Sequence, residues 1–79
     1  MDKSITTKAY AELVRVLRDA RAEADMSQQQ LADRLGEPQS FVSKYESGTR
    51  RLDLIELREI GIALGLSLDS LIARFEESL

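Results

Sequence analysis

The sequence predicts an all-α fold, a compact bundle of five short helices, and three observations lead to it. Apolar residues recur at the three- and four-residue spacing of helices along the 79-residue chain. No stretch alternates between apolar and polar residues for long enough to form a strand. Serine, aspartate and glycine, which are typical of helix ends, separate the apolar stretches. Because a second core would have too little chain, we expect a single domain over residues 1–79.

The first helix is predicted from about Thr7 to Ala24. Arg21 is unusual on its apolar stripe, because a charged group removed from water needs a partner. The inward face at helical spacing consists of Tyr10, Leu13, Val14, Leu17, Ala20, Arg21 and Ala24.

The second helix is predicted over Gln28–Leu35. Ser27 and Gln30 have the spacing of a capping box, in which each side chain bonds to the backbone of the other. Gly36 suits the left-handed residue that ends a helix.

The third helix is predicted over Gln39 to about Glu46, and Ser47-Gly48 closes it. Pro38 precedes it, and proline is tolerated at a helix start because its missing amide would have no partner there. Only about three residues join the second and third helices, which forces a sharp angle, as in a helix-turn-helix.

Two further helices complete the chain. Asp53 and Glu56 have capping-box spacing and open a fourth helix that runs to about Leu64. Ser67 caps a fifth, and residues 76–79 are expected to fray. The residues predicted to face inward are Leu54, Leu57, Ile60, Gly61 and Leu64 on the fourth helix and Leu68, Leu71, Ile72 and Phe75 on the fifth.

The residue types that are missing disfavour several classes of site. The chain has no cysteine and no histidine, so neither a disulfide framework nor a zinc site is expected. It has no glycine-rich phosphate loop and no cluster of acids in an apolar setting, which argues against an enzyme and a cofactor. No apolar run approaches the roughly 20 residues that span a bilayer, and the N-terminus lacks the apolar core of a signal peptide. We therefore expect a cytoplasmic protein.

The charge is unevenly distributed. The net charge of −3 argues against a nucleic-acid partner when it is taken alone, because DNA affinity is dominated by neutralised phosphates. The acid excess lies in residues 53–79, however, where six acids face two arginines. Residues 27–52 carry four basic and three acidic side chains and include the basic cluster Thr49-Arg50-Arg51.

Residues 17–71 resemble the Cro/phage-repressor helix-turn-helix family, also called the XRE family. The resemblance implies a bundle of the phage-repressor DNA-binding-domain type, with the helix-turn-helix at residues 28–47. Within that motif, Ala32 lies where the two helices cross. The matching stretches are Leu17-Arg18-x-x-Arg21, Met26-Ser27-Gln28-Gln29-Gln30-Leu31-Ala32, Leu35-Gly36, Ser40-Phe41-Val42-Ser43-Lys44-Tyr45-Glu46-Ser47-Gly48 and Ala63-Leu64-Gly65-Leu66-Ser67-Leu68.

In the family the third helix lies in the major groove of double-stranded DNA. The resemblance assigns base contacts to Gln39, Ser40, Ser43 and Lys44. Gln39 matches a family glutamine that reads bases, and a glutamine amide can pair with N6 and N7 of adenine. The alternative for these polar residues is a solvated helix face.

The resemblance assigns phosphate contacts to Gln28, Thr49, Arg50 and Arg51. Gln28 stands at the start of the second helix, where backbone amides favour an anion. The other three lie in the loop after the recognition helix, and a solvated loop is the alternative for them.

The resemblance also gives Arg21 a partner. It implies a structural ion pair between Arg21 and Glu46, which would hold the recognition helix to the scaffold. Pro38 departs from the family, which often has a serine or threonine cap at this position. The alternative start of the recognition helix is therefore one residue away from Gln39.

We expect a sequence-specific transcriptional regulator, a repressor, which binds a palindromic operator as a homodimer because one module alone would bind weakly. The expected dimer surface is residues 66–79. The alternative is an antitoxin or adaptor whose main partner is a protein such as a toxin. The acidic C-terminal third would suit a basic partner of this kind. The candidates for the dimer surface are Leu66, Leu68, Ile72, Phe75 and Leu79.

Overall fold

A computed structural model describes residues 7–79. It confirms the all-α class, since these residues form five helices and no strand. Among them, none of the helices has the length and apolar character needed to cross a bilayer. The helices are α1 Lys8–Glu23, α2 Gln28–Leu35, α3 Gln39–Glu46, α4 Leu54–Ala63 and α5 Leu68–Ser78.

The helix starts follow the capping signals in the sequence. The Ser27 box at the start of α2 and the Asp53 box at the start of α4 are both complete, so both predictions are confirmed. Ser67 caps α5 by accepting from the amide of Ser70. Pro38 is the N-cap of α3 and supplies no side-chain acceptor, yet the helix begins at Gln39 as predicted.

The turn between α2 and α3 depends on a left-handed residue. Gly36 has φ +70°, a conformation that glycine adopts without steric cost, as its position predicted. Asp25 has φ +58° after α1, and this non-glycine residue in the left-handed region was not anticipated. Each reverses the chain directly after a helix.

The core lies where the five helices meet. α3 packs against α1 and α2, α5 packs against α1 and α4, and α4 also packs against α2. The largest fully buried side chains of the core are Tyr45, Leu17, Leu31, Ile60, Leu71 and Val42.

Three expectations about the helices were wrong, and one buried residue was not anticipated. Leu54 is 59% exposed and Ile72 is 44% exposed, because neighbouring helices do not cover that side of α4 or α5. Val16 is buried although it lies off the predicted stripe of α1, since α1 packs on both α3 and α5. The helix α5 continues to Ser78, so residues 76–78, which were expected to fray, are helical.

Candidate DNA-binding surface

The two helices of the motif are held together by side chains that water does not reach. Leu31 and Ala32 of α2 and Val42 and Tyr45 of α3 have no exposed surface. The small side chain of Ala32 lets the two helices approach closely. The outer faces of both helices therefore keep a fixed relative orientation.

Arg21 and Glu46 join α1 to the end of α3. Arg21 Nε lies 2.7 Å from Glu46 Oε2, and Nη2 lies 2.9 Å from Oε1, which is the two-pronged geometry of a strong pair. Arg21 Nη1 also donates to the carbonyl oxygen of Met26 at 2.8 Å. The carboxylate raises the pKa of Arg21 against the opposing effect of burial. The charged residue on the apolar stripe of α1 thus lies against an acid.

This pair continues through two glutamines to the first residue of α3. Gln28 Nε2 donates to Glu46 Oε1 at 2.9 Å, and Gln39 Nε2 donates to Gln28 Oε1 at 2.7 Å. The Gln39 amide keeps its carbonyl oxygen and its second N–H for a ligand, which are the two groups that pair with adenine. The chain of bonds orients this exposed amide before any ligand arrives.

The predicted base-contact residues lie on one side of α3. Gln39, Ser40 and Lys44 are exposed, and Ser43 is half-buried. Their positions at i, i+1, i+4 and i+5 place them on adjacent turns of one face. α3 therefore presents a continuous polar face beside its buried one.

Thr49 acts as a cap at the end of α3. Its hydroxyl donates to the carbonyl oxygen of Lys44 at 3.1 Å, and its backbone amide donates to the same oxygen at 3.0 Å. The Ser47 hydroxyl also donates to this carbonyl, at 3.0 Å. This capping role was not predicted, and the threonine that follows the Ser-Gly pair was the only local signal for it.

Arg50 pairs with other parts of the protein, although 41% of its side-chain surface stays exposed. Its Nη2 lies 2.8 Å from Glu56 Oε2, its Nη1 lies 3.1 Å from Glu56 Oε1, and its guanidinium sits 4.8 Å from the centre of the Phe41 ring. The hydrogen bonds that Arg50 donates to Glu56 raise the pKa of Arg50 and lower the pKa of Glu56. Both partners of Arg50 are absent from the predicted site.

Arg51 and the loop backbone lie against Tyr10 of α1. The Arg51 guanidinium is 4.4 Å from the centre of the Tyr10 ring. The Tyr10 hydroxyl donates to the carbonyl oxygen of Arg50 at 3.3 Å and accepts from the amide of Leu52 at 3.1 Å. Tyr10 was predicted only as a core residue, because a contact forty residues apart in sequence leaves no local pattern.

The chain matches the helix-turn-helix family model over residues 17–71. It is similar to the solved structure of an XRE-family like protein from Pseudomonas syringae pv. tomato str. DC3000, at 41% identity and a TM-score of 0.85, covering 95% of this chain and 92% of that one. A mutant of the restriction-modification controller protein C.Esp1396I has the same fold, at 21% identity, with a TM-score of 0.85 and coverage of 91% and 96%. A search of curated proteins found no significant match.

The family model covers well over half of the chain, and the first structural relative exceeds 30% identity over nearly its full length. The resemblance seen in the sequence is thereby confirmed. The chain belongs to the XRE-type helix-turn-helix family of DNA-binding transcription regulators.

Proposed function

We propose that this protein is a repressor that reads a specific double-stranded DNA operator by placing α3 in the major groove. The observation that carries the proposal is the orientation of Gln39, whose amide is held by Gln28 at the exposed start of α3. Ser40, Ser43 and Lys44 complete the polar face and are proposed to meet base edges or adjacent phosphates.

The proposed phosphate contacts flank that face. The first backbone amides of α2, beginning at Gln28, have no intrahelical acceptor and favour an anion. On the other side, Thr49 and Arg51 lie in the loop after α3, at the positions that the family uses for phosphates. Contacts at both ends of α3 would set its register in the groove.

A homodimer on a palindromic operator follows from the weakness of one small module. Two modules held at a fixed spacing gain avidity, with half-sites about 34 Å apart. The proposed dimer surface at residues 66–79 includes Ile72, 44% exposed, and Leu79, 66% exposed. Leu68 and Phe75 are half-buried beside Ile72 and line an apolar cavity of about 230 Å³, while Leu66 packs against the core.

Selection of bound sequences from a random duplex pool tests the proposal directly. We expect enrichment of an inverted repeat, with an affinity for it that falls steeply as salt rises. A reporter gene placed behind the selected site should show lower output when the protein is present. Failure to enrich any sequence would overturn the proposal, and recovery of a protein partner from cell extract would then favour the antitoxin or adaptor alternative.

Gln39→Ala tests which residue reads a base. We expect the selected site to lose its preference at one base pair, with a cost of about 1–3 kcal/mol on the original site and little change in melting temperature. Gln29→Ala is the matched control, since Gln29 bonds to Asp33 within α2 and its loss should leave base preference intact. An unchanged preference in Gln39→Ala would remove base reading from that residue.

A further inference from the structure

The loop between α3 and α4 is tied to three helices at a single residue, Arg50. Its carbonyl oxygen accepts from the Tyr10 hydroxyl of α1. Its guanidinium lies over the Phe41 ring of α3 and pairs with Glu56 in the first turn of α4. An arginine that only supplied positive charge to the surface would not require these specific contacts.

Both Nη atoms of Arg50 are hydrogen-bonded within the protein. Arg50 Nη1 donates to the carbonyl oxygen of Arg51 at 3.0 Å as well as to Glu56. Glu56 Oε1 also accepts from the amide of Asp53 at 2.9 Å, so the carboxylate that holds Arg50 is itself fixed by the capping box. A phosphate would therefore compete with a carboxylate that is already in place.

Phe41 connects the fixed Arg50 side chain to the recognition helix α3. Phe41 is the third residue of α3, so it lies in the first turn of the helix together with Gln39 and Ser40. Its ring packs edge-to-face on the buried Tyr45, with centroids 5.5 Å apart. The Phe41 ring is thus held between Arg50 on its outer side and the core on its inner side.

We propose that Arg50 is a positioning residue that holds the N-terminal turn of α3 against α4 through Phe41 and Glu56, and that it does not bind a DNA phosphate. The proposal rests on the proposed DNA-binding function. It reassigns the role that the family resemblance implied for Arg50, and it makes base discrimination depend on a residue that touches no base.

The test measures two quantities on the selected operator: the slope of log affinity against log salt, and the ratio of affinities for the operator and a single-base variant of it. For Arg50→Ala we expect the slope to stay at the parent value, whereas loss of one phosphate contact would reduce it by about 0.9. We expect the affinity ratio to fall by about three- to tenfold, as for residues that act through packed neighbours. Lower stability alone would not change this ratio, because unfolded protein is lost equally from both measurements.

Glu56→Gln separates the two roles while leaving Arg50 in place. If Arg50 positions α3, weakening its anchor should lower the affinity ratio as Arg50→Ala does, and the double variant should be no worse than either single one. If Arg50 were a phosphate ligand, releasing it should raise affinity. The exposed pair Arg58 and Glu59, whose charged atoms are 3.9 Å apart, supplies the controls Arg58→Ala and Glu59→Gln for the change in charge.

If the proposed function itself is wrong, the parent protein will show no sequence preference, which separates that failure from failure of this inference. With a parent that discriminates, an unchanged ratio in Arg50→Ala overturns the inference. A reduced salt slope relative to Arg58→Ala also overturns it, whatever happens to the ratio. If Arg50→Ala does not fold, Glu56→Gln decides the question by whether its ratio falls.

Discussion

Arg21 of α1 and Glu46 of α3 form a two-pronged ion pair in which both side chains are largely removed from water, at 17% and 3% exposure. The carboxylate also accepts from Gln28, so one buried group connects the first three helices. Since Gln28 in turn holds Gln39, the same pair supports the fold and orients the amide proposed to read DNA.

We expect Arg21→Ala to lower the free energy of unfolding by about 3 kcal/mol, because it leaves the buried carboxylate of Glu46 without its charge partner. In a domain of this size that corresponds to a drop of about 10 °C or more in melting temperature, measurable by circular dichroism. Arg15→Ala is the control, since Arg15 pairs with Glu12 and Asp19 on the exposed side of α1 and its loss should change the melting temperature little. Equal melting temperatures for the two variants would contradict the role given to the buried pair.

Tyr45→Phe is expected to leave stability unchanged or to raise it by up to about 1 kcal/mol. The Tyr45 hydroxyl is buried and has no hydrogen-bond partner among residues 7–79, so its desolvation is uncompensated. The same burial raises the pKa of Tyr45. Tyr10→Phe is the matched control and should cost about 1–2 kcal/mol, because its hydroxyl bridges Arg50 and Leu52. Chemical denaturation compares the two, and a larger loss for Tyr45→Phe would refute the assignment.

Gly61→Ala should destabilise the protein by about 1–3 kcal/mol, although alanine is normally the better residue inside a helix. An added Cβ would lie 2.9 Å from the carbonyl oxygen of Leu66 and 3.0 Å from Leu71 Cδ1, where backbone and core leave no room. Gly36→Ala separates this clash from backbone strain, since its Cβ would meet nothing within 4 Å and its cost, about 1 kcal/mol, would come from φ +70°. A melting temperature for Gly61→Ala above that of the parent would rule out the clash.

The stability supplied by Glu56 should disappear in acid. Hydrogen bonds from Arg50 and from the Asp53 backbone hold the pKa of Glu56 below its ordinary value near 4.5. A carboxyl whose pKa is lower in the folded state contributes stability that is present above the unfolded pKa and is lost as the pH falls through the folded pKa. Glu56→Gln should therefore be less stable than the parent at pH 7, and the difference should shrink below about pH 4.5. A difference that is constant from pH 7 to pH 3 in thermal melts would exclude this linkage.

Ile72→Glu should weaken the proposed homodimer by about tenfold or more without unfolding the protein, because the side chain is partly exposed in the monomer. Ile62→Glu places the same change on α4, outside residues 66–79, where the side chain is 57% exposed. Sedimentation across a micromolar concentration range gives both dimer constants. If Ile62→Glu is the variant that dissociates, the dimer surface lies on α4.

The sequence predicted the helices well because their ends depend on neighbours three or four residues away. The Ser27 and Asp53 boxes and the left-handed Gly36 follow from such local spacing, and the family pattern added the residues of the recognition helix. The partnership of Arg21 with Glu46 came from the resemblance, since periodicity showed only that Arg21 needed a partner.

Only the tertiary structure decided how these parts meet. The family resemblance implied a phosphate contact for Arg50, and only the tertiary structure showed that Phe41 and Glu56 lie around its guanidinium. In the same way, the packing of α4 and α5 leaves Leu54 and Ile72 exposed although both lie at core spacing. Helical periodicity specifies which residues share a face, whereas burial and pairing depend on which other helix covers that face, and that is set by the packing of the whole bundle.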